Sequence, residues 1–379
     1  VRSRGLGDVY KRQVLRSQQT PSIIGGLEVT FVLKPKTHHP KLPLNDLGLT
    51  RRNYEGSVST LCAGCGHDSV SAAIVQACSE LSLPPHRFAK VSGIGCSSKT
   101  PSYFLNKSHG FNSVHGRMPS VMTGANLANK ELYCVGVSGD GDSASIGLGQ
   151  FAHIVRRRIN MLYLVDNNGT YGLTKGQFSA TNDKGSTSKK GVPNLYEPID
   201  LVSMALQLGA SFVGRSFSGD KGQLVPLIKA GLKHKGIAFI DVISPCVAFN
   251  NHEGSTKSYE FIREHNLNVV DADLIAPSSE ITIDYDEGTS TQVRMPDGSM
   301  LNLHKVDADY DPYDRVGALN YVQRQQEHGE VVTGLLYVDP ESSDCHDVLD
   351  TVSQPLNELV ESDLCPGHEA LEQVNQSLR

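Results

Sequence analysis

Two polar residues that follow predicted strands have the side-chain types of a divalent metal site. Asp140 lies in Gly139-Asp-Gly141, and Asn168 ends the run Asp166-Asn-Asn168 about one strand–helix–strand unit later. Mg²⁺ prefers oxygen ligands such as carboxylates, amide carbonyls and phosphate oxygens. The glycines allow the backbone to approach a phosphate, and a helix that starts beyond them offers free N–H groups. The pair therefore predicts a site for a diphosphate that is bound together with Mg²⁺.

The specificity of this motif comes from the pairing of its two halves. A Gly-Asp-Gly turn alone is also typical of a solvent-exposed Asx turn. The same turn after a strand, with a paired Asn in the next unit, favours thiamine diphosphate as the bound cofactor.

Four cysteines form a second group with possible chemistry. In Cys62-Ala-Gly-Cys65, two intervening residues let both thiolates reach one metal centre, and Cys96 and Cys246 each follow a predicted strand. Four thiolates suit zinc and an iron–sulfur cluster equally well. A Cys-x-x-Cys pair alone is also typical of a redox pair or a zinc knuckle. The sequence lacks the second such pair of a zinc ribbon, which favours a cluster modestly.

Two histidines and a long loop are weaker candidates. His67 beside the cysteine pair and His115 in His115-Gly-Arg117 are placed to approach a cofactor, although a lone histidine is more often a packed, hydrogen-bonded residue. Residues 169–194 form a Gly-, Ser- and Lys-rich stretch, typical either of a binding loop or of a flexible solvated loop. Its candidates for contact with phosphate or coenzyme A are Thr174, Lys175 and Gln177.

The elements that must position these residues alternate along the chain. Buried strands are predicted over Phe88–Ser92, Leu132–Val137, Met161–Val165 and Ala238–Ile243. Helices are predicted from a cap at Asp68 to Leu83, around Leu148 to Val155, and over Leu201–Leu208 and Gly222–Leu232. Such alternation indicates an α/β fold, a mostly parallel sheet with crossover helices, in which ligands bind at the carboxyl ends of the strands. One edge of the sheet should then carry Cys96, Asp140, Asn168 and Cys246.

Composition changes along the chain predict its organisation. We expect residues 1–13, which resemble translated adaptor sequence, to be a non-native lead, and residues 14–55 to be an N-terminal arm. Residues 56–262 should form the cofactor-binding domain. The more acidic residues 263–379 should form a C-terminal extension, with a hairpin around Pro296-Asp-Gly298.

The overall composition excludes some classes of function. A formal net charge of −6 over 379 residues argues against a general nucleic-acid binder. The sequence has no run of about 18 apolar residues, so we expect no membrane span. Eight cysteines without a secretory signal pattern favour a reducing compartment, and we expect a cytoplasmic protein.

Taken together, the motifs resemble the β subunit of 2-oxoacid:ferredoxin oxidoreductases, most of all the 2-oxoglutarate type. The resemblance covers roughly residues 53–340. The motifs that carry it are Cys62-Ala-Gly-Cys-Gly-His67, Ile94-Gly-Cys-Ser-Ser98, His115-Gly-Arg117, Gly139-Asp-Gly-Asp142 and Tyr171-Gly-Leu-Thr-Lys-Gly-Gln-Phe178, followed by Asn250-Asn-His-Glu-Gly254, Asp284-Tyr-Asp-Glu-Gly288 and Tyr310-Asp-Pro-Tyr-Asp-Arg315.

The resemblance implies a thiamine-diphosphate-binding fold and a role for each matched residue. It implies a [4Fe–4S] cluster on Cys62, Cys65, Cys96 and Cys246. It implies Mg²⁺ on Asp140, Asn168 and the carbonyl of Thr170, and it places Lys99 near the substrate carboxylate. The residues implied to contact the cofactor are Gly64, Gly95, Ser97, His115, Gly139, Asp140, Gly141, Asp142, Asn168, Thr170, Gly172 and Leu173.

The implied activity is the oxidative decarboxylation of a 2-oxoacid, with 2-oxoglutarate favoured, to acyl-CoA and CO₂. Electrons would pass through the cluster to ferredoxin. The resemblance places the glutamate that activates the cofactor on a partner α subunit, so this chain alone should be inactive. Three alternatives stay open: pyruvate or a branched-chain or aryl 2-oxoacid as substrate, a non-redox thiamine-diphosphate decarboxylase or synthase, and a zinc-stabilised non-redox binding module.

Overall fold

The computed structural model of the protein describes residues 41–187, 192–249, 281–295, 300–365 and 367–379. Its strands are β1 (Phe88–Ser92), β2 (His109–Asn112), β3 (Tyr133–Gly139), β4 (Met161–Asn167), β5 (Thr170–Tyr171), β6 (Gln177–Phe178), β7 (Phe212–Phe217), β8 (Ile237–Ile243), β9 (Ser290–Arg294), β10 (Met300–Lys305) and β11 (Val331–Val338). In the described residues, nine strands form one sheet in the order β2-β1-β3-β4-β8-β7-β11-β10-β9, and β5 pairs with β6.

The larger part of this sheet is parallel. Strands β2, β1, β3, β4, β8 and β7 run in one direction. Strand β11 is antiparallel to β7, β10 is parallel to β11, and β9 is antiparallel to β10. The predicted α/β class with a mostly parallel sheet is therefore confirmed.

Helices cover both faces of the sheet. They are α1 (Gly66–Glu80), α2 (Met118–Ala128), α3 (Leu148–Arg156), α4 (Leu201–Leu208), α5 (Lys221–Lys233), α6 (Arg315–Glu327), α7 (Cys345–Val348), α8 (Glu361–Leu364) and α9 (Gly367–Ser377). Apolar residues of α1 and α5 pack in the core on one face, and those of α2, α3, α4 and α6 pack in the core on the other. A π-helical turn, Gly141–Ile146, separates β3 from α3.

The two cores explain why the central strands are apolar throughout. In β4, Leu162 and Leu164 enter the core beside α1 and α5, while Tyr163 and Val165 enter the opposite core. Successive side chains of a strand point to opposite faces, so a strand covered on both faces has no exposed side. The strand pattern that the sequence predicted is thus the pattern of a sheet buried between two helical layers.

Several predicted boundaries differ from the structure. Strand β1 has the predicted bounds, and β3 and β4 continue two residues further than predicted. The predicted cap at Asp68 is wrong: α1 is capped at Cys65, and Asp68 lies in its first turn. Because the helix starts earlier, a cysteine proposed as a cluster ligand stands at the helix N-terminus.

Three strands of the sheet come from the segment predicted as a C-terminal extension. Strands β9 and β10 pair antiparallel on either side of the predicted Asp-Gly turn, as expected for a hairpin. The turn residues 296–299, the motif 250–254, residues 1–40 and the predicted boundary at 262 lie outside the described residues. The predicted division into an arm, a domain and an extension therefore stays a prediction.

Candidate functional site

The carboxyl ends of β1, β3, β4 and β8 meet at one edge of the sheet. In the register of the parallel strands, Gly139 pairs with Asp166 and Asn167 pairs with Ile243. Loops at this edge surround a cavity of about 100 Å³. The cavity is lined by His67, Ile94, Gly95, Cys96, Ser97, His115, Gly139, Asp140, Gly141, Asp142, Asp166, Asn168, Thr170, Tyr171, Gly172, Leu173 and Thr174.

Most residues that the sequence suggested for cofactor contact line this cavity. Gly64 is the exception, since it lies in the turn between Cys62 and Cys65. Its φ of +80° is a left-handed conformation that favours glycine. Asp166 and Ile94 also line the cavity, although they were named only as parts of the motifs Asp166-Asn-Asn168 and Ile94-Gly-Cys-Ser-Ser98, with no role of their own.

Asp140 is a buried carboxylate at the end of β3. Its Oδ1 accepts a hydrogen bond from the Asn168 backbone N–H at 3.4 Å. Its Oδ2 accepts from the hydroxyls of Ser179 and Thr181, the latter at 2.8 Å. Burial raises the pKa of this carboxyl, although the two hydroxyls and the backbone N–H oppose the shift. A bound cation would compensate for the cost of burying this charge.

Asn168 and Thr170 lie beside Asp140 on the loop after β4. The Asn168 side-chain oxygen accepts from the Thr170 backbone N–H at 3.0 Å. The Thr170 carbonyl accepts from the Gly172 N–H at 3.1 Å, which uses one of its two lone pairs. The site therefore combines a carboxylate, a side-chain amide oxygen and a backbone carbonyl, which is the oxygen donor set that suits Mg²⁺.

Close packing fixes the turn after β3. A Cβ on Gly141 would lie 2.5 Å from the ring of Tyr171, whose hydroxyl donates to the Gly141 carbonyl at 3.1 Å. A glycine is therefore needed there. The π-helical turn begins at this residue, and π-helical turns are frequent at functional sites.

Asp142 joins three loops around the cavity. Its buried carboxylate accepts from the Ser138 hydroxyl at 2.7 Å and from the Gly116 backbone N–H at 2.6 Å, and it pairs with Nδ1 of His115. A Cβ on Gly93 would overlap this carboxylate. Because one His115 nitrogen is bound to Asp142, the imidazole is held in a fixed orientation at the cavity wall.

None of the four candidate cluster cysteines forms a disulfide, and all four lie at this same edge. The Cys65 backbone N–H donates to the Cys62 carbonyl at 3.0 Å, which closes the turn between the two. Cys96 precedes the 3₁₀ segment Ser97–Ser102, and Cys246 follows β8. Cys96 is the one of the four that also lines the cavity.

Electrostatics group these cysteines into two pairs. Burial raises the pKa of the Cys62 and Cys96 thiols. The positive charge of Lys99 opposes this shift in both. Burial also raises the pKa of Cys65, and a neighbouring Cys246 adds to the shift. Metal binding would replace the thiol protons, because a thiolate is the ligand form.

The described residues contain no further candidate site for a single metal ion. Among the described residues, no three His, Cys, Asp or Glu side chains converge on one ion position. The ligands of an iron–sulfur cluster bind separate iron atoms and need not converge on one point. The Asp140 site has a single carboxylate, and its other oxygens come from an amide and a carbonyl.

A buried polar group lies near the candidate cysteines and the candidate metal ligands. His67 Nδ1 is 2.6 Å from the Ser244 hydroxyl and 3.8 Å from Asp166 Oδ2. Burial lowers the pKa of His67 to about 4, so its imidazole is neutral at pH 7. Neither oxygen of Asp166 accepts a hydrogen bond from a described residue, and burial raises its pKa well above the ordinary value. A buried polar atom without a partner at a cavity wall is typical of a ligand-binding position.

Comparison with known proteins identifies the domain that builds this cavity. Residues 93–242 match the family described as thiamine pyrophosphate enzyme, C-terminal TPP binding domain. The chain is 40% identical over 207 residues to a 2-oxoacid:ferredoxin oxidoreductase subunit beta of Saccharolobus solfataricus, which covers 54% of this chain and 67% of that protein. It is 36% identical over 215 residues to the 2-oxoglutarate synthase subunit KorB of Methanocaldococcus jannaschii, which covers 55% of this chain and 78% of that subunit.

The chain belongs to the family of 2-oxoacid:ferredoxin oxidoreductase β subunits. Its structure also resembles that of a 2-oxoglutarate:ferredoxin oxidoreductase from Magnetococcus marinus, solved with 2-oxoglutarate, coenzyme A and succinyl-CoA bound. The TM-score is 0.63 at 26% identity, and the match covers 86% of this chain and 96% of that one. The chain spans about half to two thirds of the length of several of the β subunits that it matches.

The lengths and hydropathies of the helices in the described residues bear on membrane insertion. None of their helices is long and apolar enough to cross a bilayer. The chain thus contains a thiamine-diphosphate-binding domain, and helices cover both faces of its mostly parallel sheet.

Proposed function

We propose that this chain is the thiamine-diphosphate-binding β subunit of an enzyme that oxidatively decarboxylates a 2-oxoacid, with 2-oxoglutarate favoured. The products would be acyl-CoA and CO₂, and the electrons would pass through a [4Fe–4S] cluster to ferredoxin. The observation that carries the proposal is that one cavity is lined both by Cys96, a cluster candidate, and by Asp140 and Asn168, the metal candidates. The proposed cofactor and the proposed cluster would therefore lie close together, as electron transfer between them requires.

The residues of the cavity fit the groups that this function needs. Asp140, Asn168 and the Thr170 carbonyl would hold Mg²⁺ and through it the diphosphate, while the four cysteines would hold the cluster. Thiamine diphosphate, when bound, supplies an electron sink for the decarboxylation. Asp142 would keep His115 oriented toward the bound cofactor, and the loops around the cavity would exclude water from it.

Lys99 is the proposed partner of the substrate carboxylate. Its cation acts on both Cys62 and Cys96, so it lies close to the proposed cluster loops. A cation in this position would attract a dicarboxylic 2-oxoacid such as 2-oxoglutarate. The names of the KorB relatives support that preference, and pyruvate or a branched-chain or aryl 2-oxoacid stays the alternative. We further propose that the missing cofactor-activating groups come from an α subunit.

The test is to purify the chain with its α partner without oxygen and to measure iron, acid-labile sulfide and zinc. About four irons with equal sulfide per β chain supports the cluster, whereas about one zinc without sulfide contradicts the redox function. Ferredoxin reduction in the presence of coenzyme A should then be faster with 2-oxoglutarate than with pyruvate. Equal or reversed rates would contradict the substrate assignment alone.

A further inference from the structure

Two hydroxyl groups contact the carboxylate proposed to bind the metal. Ser179 Oγ donates to Asp140 Oδ2, and Thr181 Oγ1 donates to the same oxygen at 2.8 Å. The two hydroxyl oxygens are themselves 3.0 Å apart. Both hydroxyls thus contact Oδ2. The other oxygen, Oδ1, accepts from the Asn168 backbone N–H.

Thr181 also contacts the other side of the site. Its hydroxyl is 3.0 Å from the side-chain oxygen of Asn167, the residue before the proposed metal ligand Asn168. The Asn167 amide donates to Asp241 on β8 at 3.1 Å, and Asp241 accepts from Arg215 at 2.9 Å. Because a hydroxyl has one proton, Thr181 donates either to Asp140 or to Asn167, and it lies between Asp140 and the buried groups that reach the sheet core.

Backbone contacts hold these hydroxyls in place. The Ser179 N–H donates to the Gly169 carbonyl at 3.0 Å, and the Ala180 N–H donates to the Ser145 hydroxyl at 3.0 Å. The Ile199 N–H donates to the Ala180 carbonyl at 2.7 Å. Residues 179–181 are therefore held against Asp140, behind the residues that line the cavity.

We propose that Ser179 and Thr181 are positioning residues for the divalent metal ion. By holding Oδ2 of Asp140, they turn Oδ1 toward the ion and set its orientation relative to Asn168. Groups that orient metal ligands in this way affect metal affinity by about 10- to 100-fold when they are removed. This inference rests on the proposed function, since it assumes that Asp140 and Asn168 bind the metal.

The experiment measures metal affinity directly. The enzyme with its α partner is titrated with Mn²⁺ as a paramagnetic probe in the presence of thiamine diphosphate, and free Mn²⁺ is followed by electron paramagnetic resonance. Ser179→Ala and Thr181→Val should each raise the Kd for Mn²⁺ about tenfold or more. Thr181→Ser keeps the hydroxyl and should restore affinity to within about threefold of the wild type.

A matched control comes from the same stretch. Ser186 contacts its surroundings through its backbone, with its N–H donating to Asp183 and its carbonyl accepting from Asn194. Ser186→Ala should therefore bind Mn²⁺ like the wild type. At saturating metal the kcat of Ser186→Ala should also equal that of the wild type.

The outcomes separate this inference from the proposed function. Wild-type affinity in both Ser179→Ala and Thr181→Val would overturn the positioning role while leaving the metal site intact. Equal weakening by Thr181→Ser and Thr181→Val would also overturn it, because the hydroxyl would then not be the group that matters. A wild-type enzyme that binds no Mn²⁺ would instead refute the metal site itself. Should Thr181→Val fail to fold, Ser179→Ala alone decides.

Discussion

At the scale of single residues, the cysteines differ in what surrounds them. Cys62 lies half-buried in the turn before α1, within the field of Lys99, whereas Cys365 is exposed near the C-terminus. If Cys62 is a cluster ligand, its thiol is needed to hold iron and the thiol of Cys365 is not. The sequence pattern separates them too, because Cys62 belongs to a Cys-x-x-Cys pair and Cys365 does not.

Removal of Cys62 should therefore remove the cluster. For Cys62→Ala we expect iron and sulfide to fall from about four per chain toward zero, because a [4Fe–4S] cluster needs its four thiolates. Iron and sulfide analysis after anaerobic purification measures this. Cys365→Ala is the matched control and should keep its iron; a full complement of iron in Cys62→Ala would contradict the ligand assignment.

Gly93 is a second residue whose role follows from its contacts. A Cβ at this position would overlap the Asp142 carboxylate, which in turn holds His115 and the Gly116 N–H. Gly93→Ala should thus displace Asp142 and weaken binding of thiamine diphosphate by about tenfold or more. Titration of the cofactor by fluorescence quenching gives the Kd.

Gly149 in α3 is the control for that substitution. A Cβ there has no atom within 4 Å, so Gly149→Ala should bind the cofactor like the wild type. Alanine also has the higher helix propensity, so thermal stability should not decrease. Equal cofactor affinity in Gly93→Ala and Gly149→Ala would show that the position of Asp142 does not matter for binding.

At the scale of elements, a buried ion pair joins a helix to two strands. Arg215 on β7 donates to Asp241 on β8 at 2.9 Å and pairs with Asp200, whose side chain caps α4. Removing one partner of a buried pair leaves an uncompensated charge, which costs about 3–5 kcal/mol. Arg215→Met should therefore lower the free energy of unfolding by about 3 kcal/mol.

Urea unfolding followed by circular dichroism measures this loss. The exposed pair of Arg87 and Glu131 provides the comparison, since a surface pair contributes about 1 kcal/mol or less. Arg87→Met should thus be nearly neutral. If both substitutions cost the same, the Arg215 pair does not stabilise the junction of α4 with the sheet.

The elements also indicate what the sequence could and could not predict. Strand β1 and helix α4 were predicted with their observed bounds, because their apolar periodicity and their capping or turn residues are local signals. Strand β11 was not predicted. Its neighbours β7 and β10 lie far away in sequence, and strand partners are set by packing rather than by local pattern.

The candidate site shows the same division. The proximity of Asp140 and Asn168 could be predicted because strand ends in a parallel sheet share one edge. Ser179 and Thr181 were not found, since a hydroxyl in a Gly- and Ser-rich stretch carries no signal of its neighbours. The cap at Cys65 was missed because Asp68 is the better capping type, yet packing starts the helix two residues earlier than that cap.

At the scale of the whole molecule, the cavity opens among exposed apolar side chains. Val114 precedes His115 and is 71% exposed, and Leu173 and Ile94 in the cavity lining are also exposed. Ile146 lies next to Gly116 and is exposed too. Exposed apolar side chains around a cavity are typical of a protein interface or a ligand-binding groove. This is the position expected for an α subunit that completes the cofactor site.

A charge in that surface should therefore prevent assembly. Val114→Lys would bury a lysine against the partner, and a buried unpaired charge is costly, so we expect the α subunit to dissociate and ferredoxin reduction to be lost. Size-exclusion chromatography of the co-expressed subunits measures assembly. Val316, 65% exposed in the first turn of α6 and outside the cavity lining, is the control, and Val316→Lys should assemble normally. An intact complex in Val114→Lys would place the α subunit elsewhere, and the cavity would then have to be completed by this chain alone.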